Sequence, residues 1–475
     1  MAEKIGILVV SDGSREAAMI DAFSRSSDYS PRFFIADNQA NPYNIEAARR
    51  TGGEHRVIKG LDVQGILDFA LEYQVAIDFG VVGPEAPILA GVKDIIEDDT
   101  DIKMLCPSKA YAIEGSKVRQ RALVQQAIPE ANPAFRVFYL RGPAGNDEMQ
   151  IYRDEESALR DFRKWYDELG GECVIKPDLA TAGKGVVVAG DHFTTQEDAE
   201  GYFLDILRNC AVIVEEKLNG EESSFQGFSD GRILVPLPYP RDYKRAFPEN
   251  RGPNTGGMGS YKDNIPRLPF MTDSDAEEGY RVAQNFFEAL KGRGYNPNVL
   301  FMPTYLAFIH TAQGVKILEC NSRPGNPEII NILPVLKGDF VDLCLRMIDG
   351  NLGAVELRPL ATVVTYAVPP TYGGMNPDWN GDTRVNISYD RIREHLQDGS
   401  LRIYPGSMEL RGNETHMLGS RTVCAVGIGD SIPDARAISL QGLGCIEGEL
   451  WHRDDIASAE HIQRSVENME RLRAH

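Results

Sequence analysis

The chain has 475 residues, 42% hydrophobic and 25% charged, a soluble-globular balance that excludes both a disordered chain and a bundle of membrane helices. Fifty Lys and Arg against seventy Asp and Glu leave a net charge of −20, so the basic field that a phosphate backbone requires is lacking and nucleic acid is excluded as a general partner. No run approaches the roughly eighteen apolar residues of a membrane span.

The first hundred residues predict a parallel α/β domain over 1–106. Short β-branched runs at 5–10, 33–36 and 76–82 alternate with helical patterns at 15–25, 62–73 and 87–97, which predicts strands in a parallel sheet covered by helices. The opening residues read as the first of these strands, not as a leader. Such sheets bind ligands beyond the carboxyl ends of their strands, where Gly13 and Arg15 follow the first strand and Gly83, Pro84 and Glu85 follow the third run.

A helix is expected over 108–126, ended by the breaker-rich string 128–133. An extended run (135–140), a polar loop (142–146), a charged helix (155–169) and strands at 173–176, 185–189 and 212–216 then predict a small α/β insert. The stretch 222–236 reads as a hairpin turning at Ser229, Asp230 and Gly231. Beyond a Gly- and Pro-rich passage at 248–260 come a helix over 273–291, strands at 301–309 and 315–320, and a helix over 339–348. From about residue 360, strands at 362–368 and 421–428 and helices at 432–441 and 456–473 predict a separate α+β domain. Seven scattered cysteines without a C-x-x-C pair, and eight histidines without zinc spacing, predict reduced thiols, no zinc centre and a reducing cytoplasm.

Several strings carry chemistry. Lys176 at a strand end and Lys184 in a small-residue loop, with exposed backbone amides between them, suit a polyphosphate. This is not a Walker loop, because Gly185 stands where Ser or Thr would meet magnesium. Glu215 and Glu216 end an apolar strand, where a carboxylate can accept from ribose hydroxyls. Glu319 and Asn321 sit two apart on a predicted strand, so they share a face, and a carboxylate with an amide oxygen suits Mg²⁺. Asp242, Lys244 and Arg245 combine an anion with two cations just before Gly252–Gly259 (GPNTGGMG), where glycines let backbone amides approach a ligand.

Taken together these strings resemble the phosphoribosylamine–glycine ligase (glycinamide ribonucleotide synthetase) family of ATP-grasp enzymes. VGPEAP (82–87), EGSK (114–117), AGKGV (182–186), GEE-x-SF (220–225), GPNTGGMG (252–259) and GSRTVCAVGIGDSIPDA (419–435) occur in the family's order. The resemblance implies a multi-domain α/β and α+β fold: an N-terminal α/β domain (1–106), an ATP-grasp core (107–127 and 216–350) with an inserted lid (128–215), and a C-terminal α+β domain (351–475). It further implies ATP-dependent, Mg²⁺-dependent ligation of glycine to phosphoribosylamine through a glycyl phosphate, with Mn²⁺ able to replace Mg²⁺. Lys117, Lys176, Lys184, Glu215, Glu216, Leu218 and Glu222 are then expected at the nucleotide, and Glu319 and Asn321 at the metal. Gly13, Arg15, Gly83, Pro84, Glu85, Asp242, Lys244, Arg245, Asn254, Thr255, Gly256, Arg323 and Gly325 fall on the substrate side, with Lys184, Arg323 and Asp242 as catalytic candidates. The expected partners are small molecules only, in a monomer or weak homo-oligomer. Two other readings use the same residues: ligation of another amino acid or amine by the same route, and a nucleotide-binding relative without turnover. The chain departs from the family's usual strings at Ala17, at 37–41, at Tyr243 and at Asn326, and these departures are expected at the amine and amino-acid ends.

Overall fold

In the computed structural model, residues 2–140, 150–179, 185–292 and 305–474 are described. The expected loop 142–146, residues 301–304 of an expected strand, and Lys184 lie outside them.

Strands Glu3–Ser11, Tyr29–Asp37, Glu54–Val57, Phe79–Val82 and Lys103–Leu105 form a parallel sheet in the order third, second, first, fourth, fifth. Its central strand is continuously apolar because both faces are covered: Ile7 and Val9 enter one core while Leu8 and Val10 enter another. The order reverses between the first and fourth strands, which is where such sheets open a crevice. The helix expected over 87–97 is two, Glu85–Ala90 and Val92–Asp99, broken at Gly91 with φ 98°. The helix expected over 108–126 begins only at Lys117. Ser116 caps it by accepting from the Arg119 amide, behind a tight turn at Ile113–Gly115.

The insert is a second sheet, ordered Gln150–Ile151, Phe135–Tyr139, Val212–Glu216, Cys173–Pro177, Val187–Val188. Helices Glu155–Glu168 and Gln196–Leu207 flank it, and Phe162 stacks on Phe203 at 4.3 Å between ring centroids. The expected hairpin over 222–236 is shorter. Only Gly227–Ser229 and Leu234–Pro236 pair, while Glu221–Phe225 pairs with Tyr305–Thr311, which in turn pairs with Gly314–Asn321. That long-range pairing brings Phe225 to 6.1 Å from Phe308 in the main core, a burial no local hairpin offers.

The expected C-terminal α+β domain shares a sheet with the core. Strands Leu401–Pro405, Val423–Gly429 and Ala361–Ala367 continue into Gly259–Lys262 and Arg241–Asp242, so the sheet crosses residue 350. Without those two strands, Ala361–Ala367 would expose an edge. A stack of Phe23 on Phe340, 4.6 Å between centroids, ties helix Ser14–Ser24 to helix Phe340–Ile348. Six of the seven free cysteines are buried and Cys210 is half-buried. Among the described residues no helix is long and apolar enough to cross a membrane.

Candidate active site

A cavity of about 510 Å³ opens at the sheet's switch point, between the loops after the first and fourth strands, the end of strand Gly314–Asn321, the run 242–256 and the C-terminal loop 406–421. Stretches far apart in sequence therefore supply its walls.

Its charged centre is Glu319. Burial favours the neutral carboxyl, but Lys244, Lys176, Lys117 and Arg323 outweigh burial and bring its pKa down to about 2. Lys244 Nζ lies 3.5 Å from Glu319 and 3.9 Å from Glu222. Burial opposes the Lys244 charge, yet Glu319 and then Tyr305, Glu222 and Asp242 hold it well above the ordinary lysine range. Asn321 is buried two residues along the strand and lines the same cavity. An ionised carboxylate and a neighbouring amide oxygen facing one cavity are hard donors that fit Mg²⁺, which takes few protein ligands.

The nucleotide candidates separate. Lys117 lines the cavity and donates to the Leu179 carbonyl at 2.5 Å. The side chain of Glu215 differs from expectation: it is buried and accepts from Arg121 Nε at 2.6 Å, Arg121 Nη2 at 3.0 Å and Lys176 Nζ at 2.6 Å. Its oxygens are thus committed to an ion cluster and are not free for a ribose. Burial pushes the Lys176 pKa down, with Glu215 opposing. Glu216 turns to the other face of the strand and accepts from the Ala134 amide at 2.8 Å. Glu216, Leu218 and Glu222 lie outside the cavity wall, and Lys184 is outside the described residues.

On the substrate side, Gly13, Arg15, Pro84, Glu85, Asp242, Lys244, Thr255, Gly256 and Arg323 come together around the cavity. Arg15 donates to Glu16 at 2.6 Å and to the Pro324 carbonyl at 2.9 Å. Arg323 stands 3.5 Å from Glu85 and 3.7 Å from Glu114, and its buried Nε makes no hydrogen bond. Burial works against the Glu85 charge, but Arg323 and then Arg15 hold that carboxyl below its usual range. Asp242 is driven the other way, well up, by burial and by Glu328, and its Oδ1 is buried without a partner.

Four expected substrate residues stand outside the cavity wall. Arg245 donates to Asp191 of the insert and to the Gly252 carbonyl at 2.9 Å, so it bridges to the insert and does not enter the cavity. Asn254 is its partner in the two-stranded ladder. Gly325 supports the loop by donating to Gln226 Oε1 at 2.8 Å. Gly83 acts by being small, because an added Cβ would lie 1.5 Å from Glu16 Oε1. Glu16 is wholly buried and tied to Arg15 and to the Asp12 amide, so it has nowhere to retreat. Gly83→Ala is therefore expected to cost about 1–3 kcal/mol by overpacking and to displace Arg15. Thermal unfolding alongside substrate KM checks this, and unchanged values in both would refute it.

The departures divide as well. Tyr243 points away from the cavity into the core, and Ala17 is buried in the first helix. Gln39 and Asn41 donate to carbonyls of Pro405 and Gly406, at 2.7 to 3.1 Å, and so dock the N-terminal sheet on the C-terminal segment. Asn38, Gln39 and Asn326 do line the cavity, Asn326 accepting from the Tyr366 hydroxyl at 2.7 Å.

Sequence reasoning missed Glu114, Tyr305, Glu328 and Arg421, all in the wall. Burial pushes Glu114 up to about 7, with Arg323 partly opposing. Glu114 lay within the quoted EGSK string and was within reach of motif reading. Arg421 also lay within a quoted string, 419–435, but its part in the wall depends on distant contacts, since its Nη1 donates to carbonyls of Gly256 and Asn326, the latter at 2.7 Å and 95 residues distant.

The chain is similar to known proteins in sequence and in fold. The family model of the phosphoribosylglycinamide synthetase N domain matches residues 5–114, and that of the same synthetase's ATP-grasp (A) domain matches 147–329. A phosphoribosylamine–glycine ligase of Methanocella arvoryzae is 34% identical over 473 residues, covering 98% of this chain and 99% of its own. The crystal structure of a phosphoribosylamine–glycine ligase from Thermotoga maritima is similar in fold, with TM-score 0.71 at 21% identity, over 95% of this chain and 100% of that one. The biotin carboxylase domain of Hydrogenobacter thermophilus 2-oxoglutarate carboxylase, solved with MgADP, shares the fold at TM-score 0.62 and 14% identity, over 98% and 93% of the two chains.

Proposed function

The chain belongs to the phosphoribosylglycinamide synthetase family, and on that footing we propose that it uses ATP to join glycine to 5-phosphoribosylamine, giving glycinamide ribonucleotide, ADP and phosphate. The observation that carries the reading is Glu319, an ionised carboxylate ringed by Lys244, Lys176, Lys117 and Arg323 in a cavity at the switch point of the N-terminal sheet.

The chemistry needs two displacements. A glycine carboxylate oxygen attacks the γ-phosphorus of ATP and the bond to ADP breaks, giving glycyl phosphate. The amine nitrogen then attacks the carbonyl carbon, phosphate leaves with the bonding pair, and the nitrogen sheds a proton. Catalysis of the first step is largely positioning and charge stabilisation. Lys117 lines the cavity and can meet phosphate oxygens, Lys176, held by Glu215 behind the lining, adds positive charge, and Lys184 is assigned there by the AGKGV string alone. Mg²⁺ held by Glu319 and Asn321 would neutralise phosphate charge. Lys244 and Arg323 are placed to hold the carboxylate, and burial and Glu328 push the Asp242 pKa up, which weakens its repulsion there. The N- and C-terminal walls shield the acyl phosphate from water. The free buried thiols suit the reducing cytoplasm of this reading, in which the protein acts as a monomer or weak homo-oligomer.

Arg421 lines the C-terminal wall together with Ser14, Ser407 and Ser420, a set that suits the phosphate of the amine substrate. Arg421→Ala is expected to raise the KM for phosphoribosylamine by about 10- to 100-fold, the worth of one charge-assisted hydrogen bond, with the ATP KM within about twofold. Steady-state titration of each substrate checks it.

The function itself is tested by mass spectrometry of products after incubation with ATP, Mg²⁺, freshly generated phosphoribosylamine and a panel of amino acids. Glycinamide ribonucleotide as the main product supports the reading. A better product from another acid or amine, or ADP release with none, overturns it.

A further inference from the structure

The run 241–245 alternates. Asp242 and Lys244 line the cavity, while Arg241 and Tyr243 turn the opposite way, toward the C-terminal helix Ala459–Arg473 and the loop before it. Glu221 pairs with Arg241 there at 2.7 Å, and the remaining polar anchors come from residues 453–465, none of which lines the cavity. The Tyr243 hydroxyl accepts from the Ala457 amide at 2.9 Å and shares a hydrogen bond with His461 Nδ1 at 3.0 Å. Arg241 donates to Ser465 at 2.7 Å. Arg453, wholly buried, lies over the Tyr243 ring at 5.1 Å, donates to the Arg245 carbonyl at 2.8 Å and is itself held by Asp455 at 2.6 Å.

Backbone conformation marks the same place. Four described residues other than glycine adopt a left-handed φ, and three of them belong to this network: Glu249 at 62°, Asn250 at 51° and Ala457 at 54°. Asn250 accepts from Arg453 at 3.2 Å, the Glu249 amide donates to Asp455 at 3.0 Å, and the Ala457 amide is the donor to Tyr243. Unfavourable dihedrals persist only where surrounding contacts over-determine them. Here those contacts converge on the back of the run 241–245 that carries Lys244.

We propose that segment 453–465 is a positioning platform for Lys244 and Asp242, acting through the Tyr243 hydroxyl and the Arg453 guanidinium. The proposal rests on the ligase reading for what Lys244 and Asp242 do, but not for how they are held. It assigns a task in the reaction to the last helix and to the departure at Tyr243, which touches no substrate.

The test is Tyr243→Phe, which keeps the ring and removes the hydroxyl, with Arg453→Lys as the second variant. Each is expected to lower kcat by about tenfold, the worth of one hydrogen bond, with the ATP KM within twofold. Hydrogen exchange should quicken across 241–256 and nowhere else. Wild-type kcat in both variants overturns the platform, whatever the exchange shows. So does exchange that quickens throughout the molecule, which would mark plain loss of stability. Should Tyr243→Phe fail to fold, Arg453→Lys decides. Should the wild-type protein release no ADP with glycine and phosphoribosylamine, the ligase reading falls, and exchange across 241–256 still decides whether the segment holds the strand.

Discussion

Glu319→Ala is expected to lower kcat by at least about a thousandfold, the upper range for removing one preorganised electrostatic group, in a protein that still folds. Lys244, Lys176, Lys117 and Arg323 all act on this one carboxylate, so its loss leaves the cavity with excess positive charge and a single remaining oxygen donor for the metal. Folding should survive because burying Glu319 is itself unfavourable and Lys244 keeps Glu222 at 3.9 Å. Glu319→Gln separates the contributions: the shape and one oxygen remain while the charge goes, and a comparable loss of rate is expected. ADP release under saturating substrates, with circular dichroism to show folding, checks both. A wild-type rate in either variant would refute the central role of this residue.

Arg121→Met should show the largest effect on stability. The guanidinium spans the joint between core and insert, donating to Glu215 on the insert strand and to the carbonyls of Ile317 and Leu318 on the core strand at 2.7 and 2.8 Å. Arg121 and Glu215 each keep only 3% of their side-chain surface exposed. Removing the arginine strands a buried carboxylate on Lys176 alone, a change that costs about 3–5 kcal/mol. Hydrogen exchange should rise in strands Cys173–Pro177 and Val212–Glu216 ahead of the N-terminal sheet. The double variant Arg121→Met, Glu215→Leu should recover part of the loss, because the stranded carboxylate is gone and Lys176, whose charge burial already disfavours, is the one group left without its partner. A double variant no more stable than the single one would show that the ion cluster is not the source of the effect.

Much of this molecule was readable before folding was considered. The alternation of β-branched runs with helical patterns located the N-terminal parallel sheet and the loops that face its crevice, because both periodicities are local. Glu319 and Asn321 were legible as a pair for the same reason: the two-residue repeat of a strand puts them on one face. The same rule, applied to Glu215 and Glu216, would have shown that only one of the two could face inward.

Other features depended on contacts that no local pattern encodes. The short hairpin at 227–236, the sheet that runs from Arg241–Asp242 into the last hundred residues, and the turn of Tyr243 away from the cavity all follow from pairing between distant strands. Arg421 reached the wall only because its loop folds back onto Gly256 and Asn326. Local order is set by backbone geometry and side-chain periodicity over a few residues, and residue order alone carried it: the strands, the helices, the chemical types at the strand ends. The identity of each carboxylate's partner is set by which surfaces bury one another, and so which acids became ion-pair struts and which stayed open to substrate was decided only by packing.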